Sequence, residues 1–485
     1  MKKEKSIKFN FMMNSILTLS SIVFPLITFP YVSRILSPIG TGKVSLATSV
    51  VSYFSLIAQL GVPTYGIRVC AKLRNNEKEL VSNIQELLTI NLIMSFIAYI
   101  GYFIMLASVS KFAEEKPLYL IMSITIILNA IGIEWLYKGL EQYAYITARS
   151  VIFKLIALAA LLLFVHQKSD YVIYGGISVL AASASNVLNF FNARKLIFAK
   201  SYRPLKFGHH LKAVLVFFAM SCATTIYTHL DTVMIGFMNT DADVGYYNSA
   251  IKIKQFLVSL ITSLGAVLLP RSSYFIETEQ FNKFKEVSAK ALRFICIIGV
   301  PMMVFFFIFA DQSVYFLSGY EYEKAILPMR ILMPTILFIG LSNLLGIQML
   351  VPMGKEKHIL YSEILGAWVD FIVNLVLIPR YACVGATIGT LIAEFVVLLY
   401  QYIILHDLVT EMFKAISYWK IIAGTAVGSI FSLAVLKFSL NNFLTLLISA
   451  IVFFGIYCLM LMVFKEELSV EITKGLLNKI RRRKS

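Results

Sequence analysis

The sequence predicts an all-α polytopic membrane protein of about fourteen transmembrane helices, arranged as two six-helix lobes plus two C-terminal helices. Three observations carry that expectation. The 485 residues are 58% hydrophobic and only 15% charged, with a mean hydropathy of +0.78, whereas soluble domains hold roughly 45–50% apolar residues. The apolar residues gather into runs of about 20, the length that crosses a bilayer. The basic residues alternate between loops in the manner of the positive-inside rule.

The runs lie near 12–32, 44–66, 87–109, 117–137, 147–165, 171–193, 213–237, 246–270, 294–317, 325–349, 359–378, 383–405, 417–436 and 443–464. The first is too long for a signal peptide and lacks a small-residue cleavage site before the next run. With the N-terminus inside, 32 of the 44 Lys and Arg fall in cytoplasmic segments or, as Arg149 and Lys420 do, at the cytoplasmic ends of spans; eight fall outside and four lie deeper within spans. Both termini are then expected in the cytoplasm. The net charge of +17 reads as a topology signal, and nucleic acid is not an expected partner. The five cysteines (Cys70, Cys222, Cys296, Cys383, Cys458) show no disulfide or metal spacing.

A weak internal repeat divides the chain. GKVSLA (42–47) and GYYNSA (245–250) share a G-x4-A spacing at the start of the second span of each half. Each such span ends in a proline, Pro63 or Pro270, before a charged segment. Parallel repeats related by an axis along the membrane normal would look like this. The expected divisions are 1–200 (spans 1–6), 201–412 (spans 7–12), 413–464 (spans 13 and 14) and a basic amphipathic tail, 465–485, suited to anionic lipid.

Polar residues recur at helical spacing on the first two spans of each half. Span 1 carries Asn14, Thr18, Ser21 and Thr28; span 2 carries Ser45, Thr48/Ser49, Ser52, Ser55 and Gln59. Span 7 carries Ser221, Thr224/Thr225, Thr228 and Asp231/Thr232; span 8 carries Asn248, Lys252, Gln255, Ser259 and Thr262/Ser263. On one span such a stripe is ordinary glue between helices. Four at equivalent places point to two lobes facing an aqueous cavity.

Intramembrane charges cost roughly 2.5–3.5 kcal/mol on insertion scales and need a reason. Lys252 lies on the polar stripe and leads the candidates for ligand contact. Lys254, two residues on, points away and is expected to snorkel to the outer interface or to pair with Asp231. Glu134 and Lys154 lie at similar depth and read as a structural ion pair. Arg330 lies between Pro328 and Pro334, an expected helix break. Asp370 and Glu394 suit proton or cation sites, or partners for neighbouring polar groups. His166, His229 and His358 read as structural.

Four segments carry a family resemblance: YVSRILSPIGTGKVSLATSVVSYFSLIAQLGVPTYGIR (31–68), GIEWLYKGLEQYAYITARSVIFK (132–154), HLDTVMIGFMNTDADVGYYNSAIKIKQFL (229–257) and MLVPMGKEKHILYSEILGAWVDFIVNLVLIPRYACVGATIGTLIAE (349–394). In their order and spacing the chain resembles the multidrug/oligosaccharidyl-lipid/polysaccharide flippase superfamily, and within it the bacterial repeat-unit flippases (the Wzx type). The resemblance implies two lobes in a V that alternate between inward- and outward-open states. It also implies a substrate of oligosaccharide on undecaprenyl pyrophosphate. Relatives that flip the peptidoglycan precursor are similar but hold several basic residues deep in the first lobe; here Arg34 and Lys43 sit only at the outer rim.

The substrate-binding candidates are therefore Lys252, Gln255, Asn248, Asp231, Thr228, Arg34, Lys43, Ser52, Gln59 and Arg330. Lys254, Glu134, Lys154, Asp370 and Glu394 are the structural or coupling charges. No cofactor, metal or catalytic residue is expected; H+ or Na+ coupling is. Expected partners are the lipid-linked oligosaccharide, membrane lipids, and the polymerase and glycosyltransferases of the same pathway. A cation antiporter of the same superfamily is the main rival and would want acids on the stripes. A membrane polymerase or ligase would want a sizeable outer loop, and none is present. No G-x4-GK[ST] phosphate loop occurs.

Overall fold

In the computed structural model, which describes residues 7–200, 203–263, 265–467 and 469, every regular element among the described residues is helical. Helices satisfy their own backbone, as a hydrocarbon environment demands. The tail expected over 465–485 lies almost wholly outside these residues. Eleven described helices are long and apolar enough to cross a membrane. Two are double-length: α1, Ile7–Gln59, turns at Ser37 (φ 61°), and the helix Lys357–Ile404 turns at Ala382 (φ 48°). Each covers two expected runs, and with Asp241–Thr262 the set is consistent with fourteen crossings.

The two turns have local causes. Pro38 disfavours the α conformation in the residue before it, which is Ser37. At the second turn the chain doubles back so closely that a Cβ on Gly385 would lie 2.6 Å from the carbonyl of Leu377. Large apolar side chains stand exposed along the helices, among them Phe96, Leu163, Trp368 and Ile430. Exposed apolar surface on this scale is what lipid would cover.

The chain forms two compact units, Met1–Gly245 and Tyr246–Ser485. The first unit contains α1, α2 (Val62–Leu73), α3 (Glu77–Ser108), Lys116–Ile131, Tyr143–Phe164, the helices up to Ile197, and Gly208–Met238. The repeat places span 7 with the second half, whereas the helix Gly208–Met238 packs on α1 and α2 in the first unit. Glycine permits this. Gly61 holds φ 72°, and a Cβ there would lie 2.5 Å from the Phe218 nitrogen and 2.6 Å from the Val214 oxygen. In the second unit, Phe305, Phe309 and Phe453 form a core between Phe281–Ile308 and Asn442–Val463.

The glycines that begin the two repeat motifs meet each other's loops. A Cβ on Gly42 would lie 1.7 Å from the Asp241 oxygen, and one on Gly245 would lie 2.1 Å from the Pro38 oxygen. Pro38 precedes Gly42 by the same interval as Asp241 precedes Gly245, so one contact is the other read in reverse. Lys111 Nζ, 2.9 Å from Asp241 Oδ1, pins the same corner.

Candidate functional site

The polar stripes of spans 2 and 7 meet in the first unit. They line a cavity of about 390 Å³ with Ser52, Ser55 and Gln59 from α1, Asn129 from Lys116–Ile131, and Ser221, Thr225 and His229 from Gly208–Met238. The spacing 221, 225, 229 is four residues each time, one face of a helix. The turn at Leu60 (φ 42°) and Gly61 ends α1 and aims Gln59 into the space. Among the described residues, no Asp, Glu, Lys or Arg lines this space.

The wall is held from behind. His229 Nδ1 is hydrogen-bonded to Ser49 Oγ at 3.0 Å, with the Tyr53 ring edge-on at 6.1 Å between centroids. Asn129 Oδ1 accepts from Ser183 Oγ (3.0 Å) and Asn186 Nδ2 (3.2 Å). Asn186 Oδ1 in turn accepts from Arg149 Nη1 at 3.2 Å, and Arg149 Nη2 reaches Glu134 Oε2 at 2.9 Å. Lys138 Nζ completes the cluster 2.8 Å from Glu134 Oε1. The cavity wall is thus tied to a charged cluster that does not itself line the space.

That cluster corrects the expected Glu134–Lys154 pair. Glu134 opens a short helix after a left-handed residue, Ile133 (φ 37°), and from there it meets the buried Arg149, at the early end of Tyr143–Phe164. Lys154 instead donates to Ser20 Oγ (2.9 Å) and Ser21 Oγ (2.8 Å) of α1. Ser21 of the span 1 stripe is therefore engaged in helix packing, while Asn14 and Thr18 are exposed.

Other candidates fall elsewhere. Thr228 is exposed, with its hydroxyl donating to the Thr224 carbonyl at 2.7 Å, and it does not line the cavity. Asp231 is buried, 5% exposed. Arg34 is exposed and donates to the Pro30 carbonyl. Lys43 forms an ion pair with Glu115, which also accepts from the Tyr171 hydroxyl at 2.7 Å. Arg330 is paired with Asp311 at 2.9 Å, and the expected break is absent, because the helix runs unbroken over Ile326–Asn343. Pro328 sits in its first turn, where the missing N–H is no loss, and the helix carries Pro334 inside.

On Asp241–Thr262 the buried positions are Val244, Gly245, Tyr247, Ser249, Ala250, Ile253, Lys254, Leu257 and Ile261. Asn248, Lys252 and Ser259 are half-buried and Gln255 is exposed, on the other face. Lys254 does not snorkel: it is 9% exposed and covered by protein, because its position falls on the buried face.

The second unit holds a buried acidic group. Asp370, Asn374 and Glu394 are all under one-tenth exposed on the two arms of Lys357–Ile404. A Cβ on Gly389 would lie 2.2 Å from Asn374 Oδ1 and 2.9 Å from Asp370 Oδ1, so these two oxygens converge over bare backbone. At the next residue after Gly389, Thr390 Oγ1 is hydrogen-bonded to the Tyr247 hydroxyl at 3.2 Å.

Sequence reasoning missed Asn129, Asn374, Gly389 and the cavity role of His229. The signal for His229 was present in the four-residue spacing from Ser221. Asn129 is a lone amide in an apolar run, and only packing identifies it.

A sequence profile of the family described as "Polysaccharide biosynthesis protein" matches residues 7–276. The chain belongs to that family. A second profile, MatE, matches residues 217–376. The chain is 26% identical over 391 residues to the "Putative O-antigen transporter" of Shigella dysenteriae, covering 79% of this chain and 96% of that one. It is 23% identical to the protein of the same description from Escherichia coli K12, covering 77% and 91%. Among solved structures, the lipid II flippase MurJ in an inward closed conformation aligns with a TM-score of 0.76 at 16% identity, over 94% of this chain and 99% of MurJ. An inward-facing multidrug resistance MATE family transporter aligns with a TM-score of 0.63 at 15% identity, over 84% and 99%. These likenesses fix the polytopic transporter fold.

Proposed function

We infer that this chain is a flippase, moving lipid-linked oligosaccharide repeat units from the inner to the outer leaflet of the bacterial cytoplasmic membrane for cell-surface polysaccharide synthesis. It is a transporter rather than an enzyme. One observation carries the reading: the first-unit cavity is lined by hydroxyl, amide and imidazole groups and by no acid. Sugar hydroxyls both donate and accept, and Ser, Thr, Asn, Gln and neutral His offer both. An organic cation would want a carboxylate in the lining, which disfavours the antiporter reading. The relatives described as O-antigen transporters support the same substrate class.

Lysine is a compact point charge for phosphate, so Lys252, with Asn248 and Gln255 on the same face, suits the pyrophosphate. The reciprocal Pro38–Gly42 and Asp241–Gly245 contact suits an outer clasp that alternating access would have to open. Asp370, Asn374 and Glu394 suit coupling: hard oxygen donors fit Na+, and a buried carboxyl fits a proton. Both termini belong in the cytoplasm on the loop charges. The polymerase and glycosyltransferases of the pathway are the natural protein partners.

Mass spectrometry of polyprenyl-linked intermediates in a strain depleted of this protein tests the function. Accumulation of one undecaprenyl-pyrophosphate oligosaccharide is the expected result. An unchanged lipid pool with altered sensitivity to cationic drugs would replace this reading with the antiporter.

A further inference from the structure

A second cavity, of about 440 Å³, lies away from the polar one, among α2, α3, the segment before Gly208 and the start of Gly208–Met238. Its side chains include Tyr65, Arg68, Lys72, Glu79, Arg203 and His209. Its base is built around Glu86, a fully buried carboxylate on α3. Glu86 Oε1 accepts from Arg203 Nη1 (2.6 Å) and from the Lys206 backbone N–H (2.6 Å). Oε2 accepts from Arg203 Nη2 at 3.1 Å and pairs with His210 Nε2 at 2.9 Å, while His210 Nδ1 is hydrogen-bonded to the Tyr65 hydroxyl at 2.9 Å. Arg203 Nε also reaches Glu79 at 3.3 Å.

Two carboxylates share the Arg203 guanidinium, and Arg68 and Lys72 tip the formal charge of the group to +1 with the histidines uncharged. Both oxygens of Glu86 are engaged, and the guanidinium of Arg203 is shared between Glu86 and Glu79. Glu86, His209 and His210 lie close enough to suggest a metal site, but the bound guanidinium occupies the carboxylate and would repel a cation. Arg68 and Lys72 lie one turn apart on one face of α2, both exposed. Neither has a carboxylate within ion-pair distance among the described residues. The ring of His209 stands beside them, 3.8 Å from that of His210. Two cations with no ion-pair partner among the described residues, on a hydrogen-bonded base and in a space large enough for one or two phosphoryl groups, suit an anion.

We propose that this cavity binds a phosphate-bearing anion through Arg68 and Lys72, either the phosphoryl group of an anionic lipid or free pyrophosphate. The Glu86 hub positions the cavity by fixing residues 203–207 against α2 and α3. The site is independent of what the central cavity carries, so it stands or falls apart from the flippase reading.

The test uses the full-length purified protein in detergent. Phosphatidylglycerol and zwitterionic phosphatidylethanolamine are compared by native mass spectrometry, and inorganic pyrophosphate by calorimetry. The variant is Arg68→Gln/Lys72→Gln, with both residues exposed and the Glu86 hub intact; equal thermal midpoints check its fold. The control is Lys283→Gln/Lys285→Gln, which removes the same charge from an exposed helix of the other unit. At least tenfold weaker phosphatidylglycerol binding in the first variant, with the control unchanged, supports the site and assigns a lipid headgroup. The same pattern with pyrophosphate alone supports it and assigns a soluble anion. Equal losses in both variants, no loss in the first, or no binding of either probe by the wild type overturns it.

Discussion

Two neighbouring regions of the first unit divide polar chemistry differently. The cavity of Ser52, Gln59, Asn129, Thr225 and His229 is hollow and neutral. The cluster of Glu134, Lys138 and Arg149 behind it is charged and filled. Neutral hydrogen-bonders can line an empty space because water satisfies them at little cost, and a ligand can replace that water. Charges in an apolar surround must be paired at once, since removing one partner leaves the other uncompensated. Of these two regions, ligand contacts therefore belong to the hydroxyls and amides, with the charges of the cluster holding the frame.

The largest effect expected from that contrast is at Arg149. Arg149→Ala removes a guanidinium 4% exposed that serves Glu134, Ser185 and Asn186. Glu134 is 37% exposed and keeps Lys138, so the loss should fall short of the cost of about 3–5 kcal/mol for a fully buried pair, yet thermal unfolding in detergent should still show a clear drop. A wild-type midpoint would mean that the cluster does not hold the frame. Combining Arg149→Met with Glu134→Gln should recover part of the loss, because the charge then left in the cluster, Lys138, is 34% exposed and can be solvated.

A smaller and different effect is expected at the cavity. Asn129→Ala with Thr225→Ala should lower export about tenfold, roughly 1.4 kcal/mol for one or two lost hydrogen bonds to substrate. The thermal midpoint should move far less than for Arg149→Ala. A collapse in stability with unchanged specific export would erase the distinction between hollow and filled regions.

The smallest effect is at Thr228, which the stripe includes and the cavity does not. Thr228→Ala removes an exposed hydroxyl bonded to its own helix and should change stability by no more than about 0.5 kcal/mol, with export as in the wild type. Export lost to the degree seen for the cavity pair would mean that the substrate path extends beyond this space.

How far each feature was legible in the sequence follows from the range of the interactions that set it. Hydropathy is local, so the spans at 87–109 and 443–464 could be read directly and correspond to Glu77–Ser108 and Asn442–Val463. Helical period is local too, which is why Ser52, Gln59, Ser221 and Thr225 could be grouped by their spacing alone. Depth does not choose a partner. Glu134 and Lys154 sit at matching depths, yet Arg149 reaches the carboxylate and Lys154 reaches two serines. The prolines around Arg330 mislead for a related reason: a proline's effect depends on where the helix starts, and Pro328 falls in the first turn.

The helical membrane class, the repeat of motifs at Gly42 and Gly245, and the polar faces of the crossing helices are all written in the order of the residues. They follow from the length of a bilayer crossing and the pitch of a helix. Tertiary packing was needed to set the helix Gly208–Met238 against α1, to bring His229 and Asn129 to one wall, and to gather Arg203 and His210 around Glu86. Such pairings join residues far apart in the chain, and they depend on backbones meeting where Gly61 has no side chain to keep them apart.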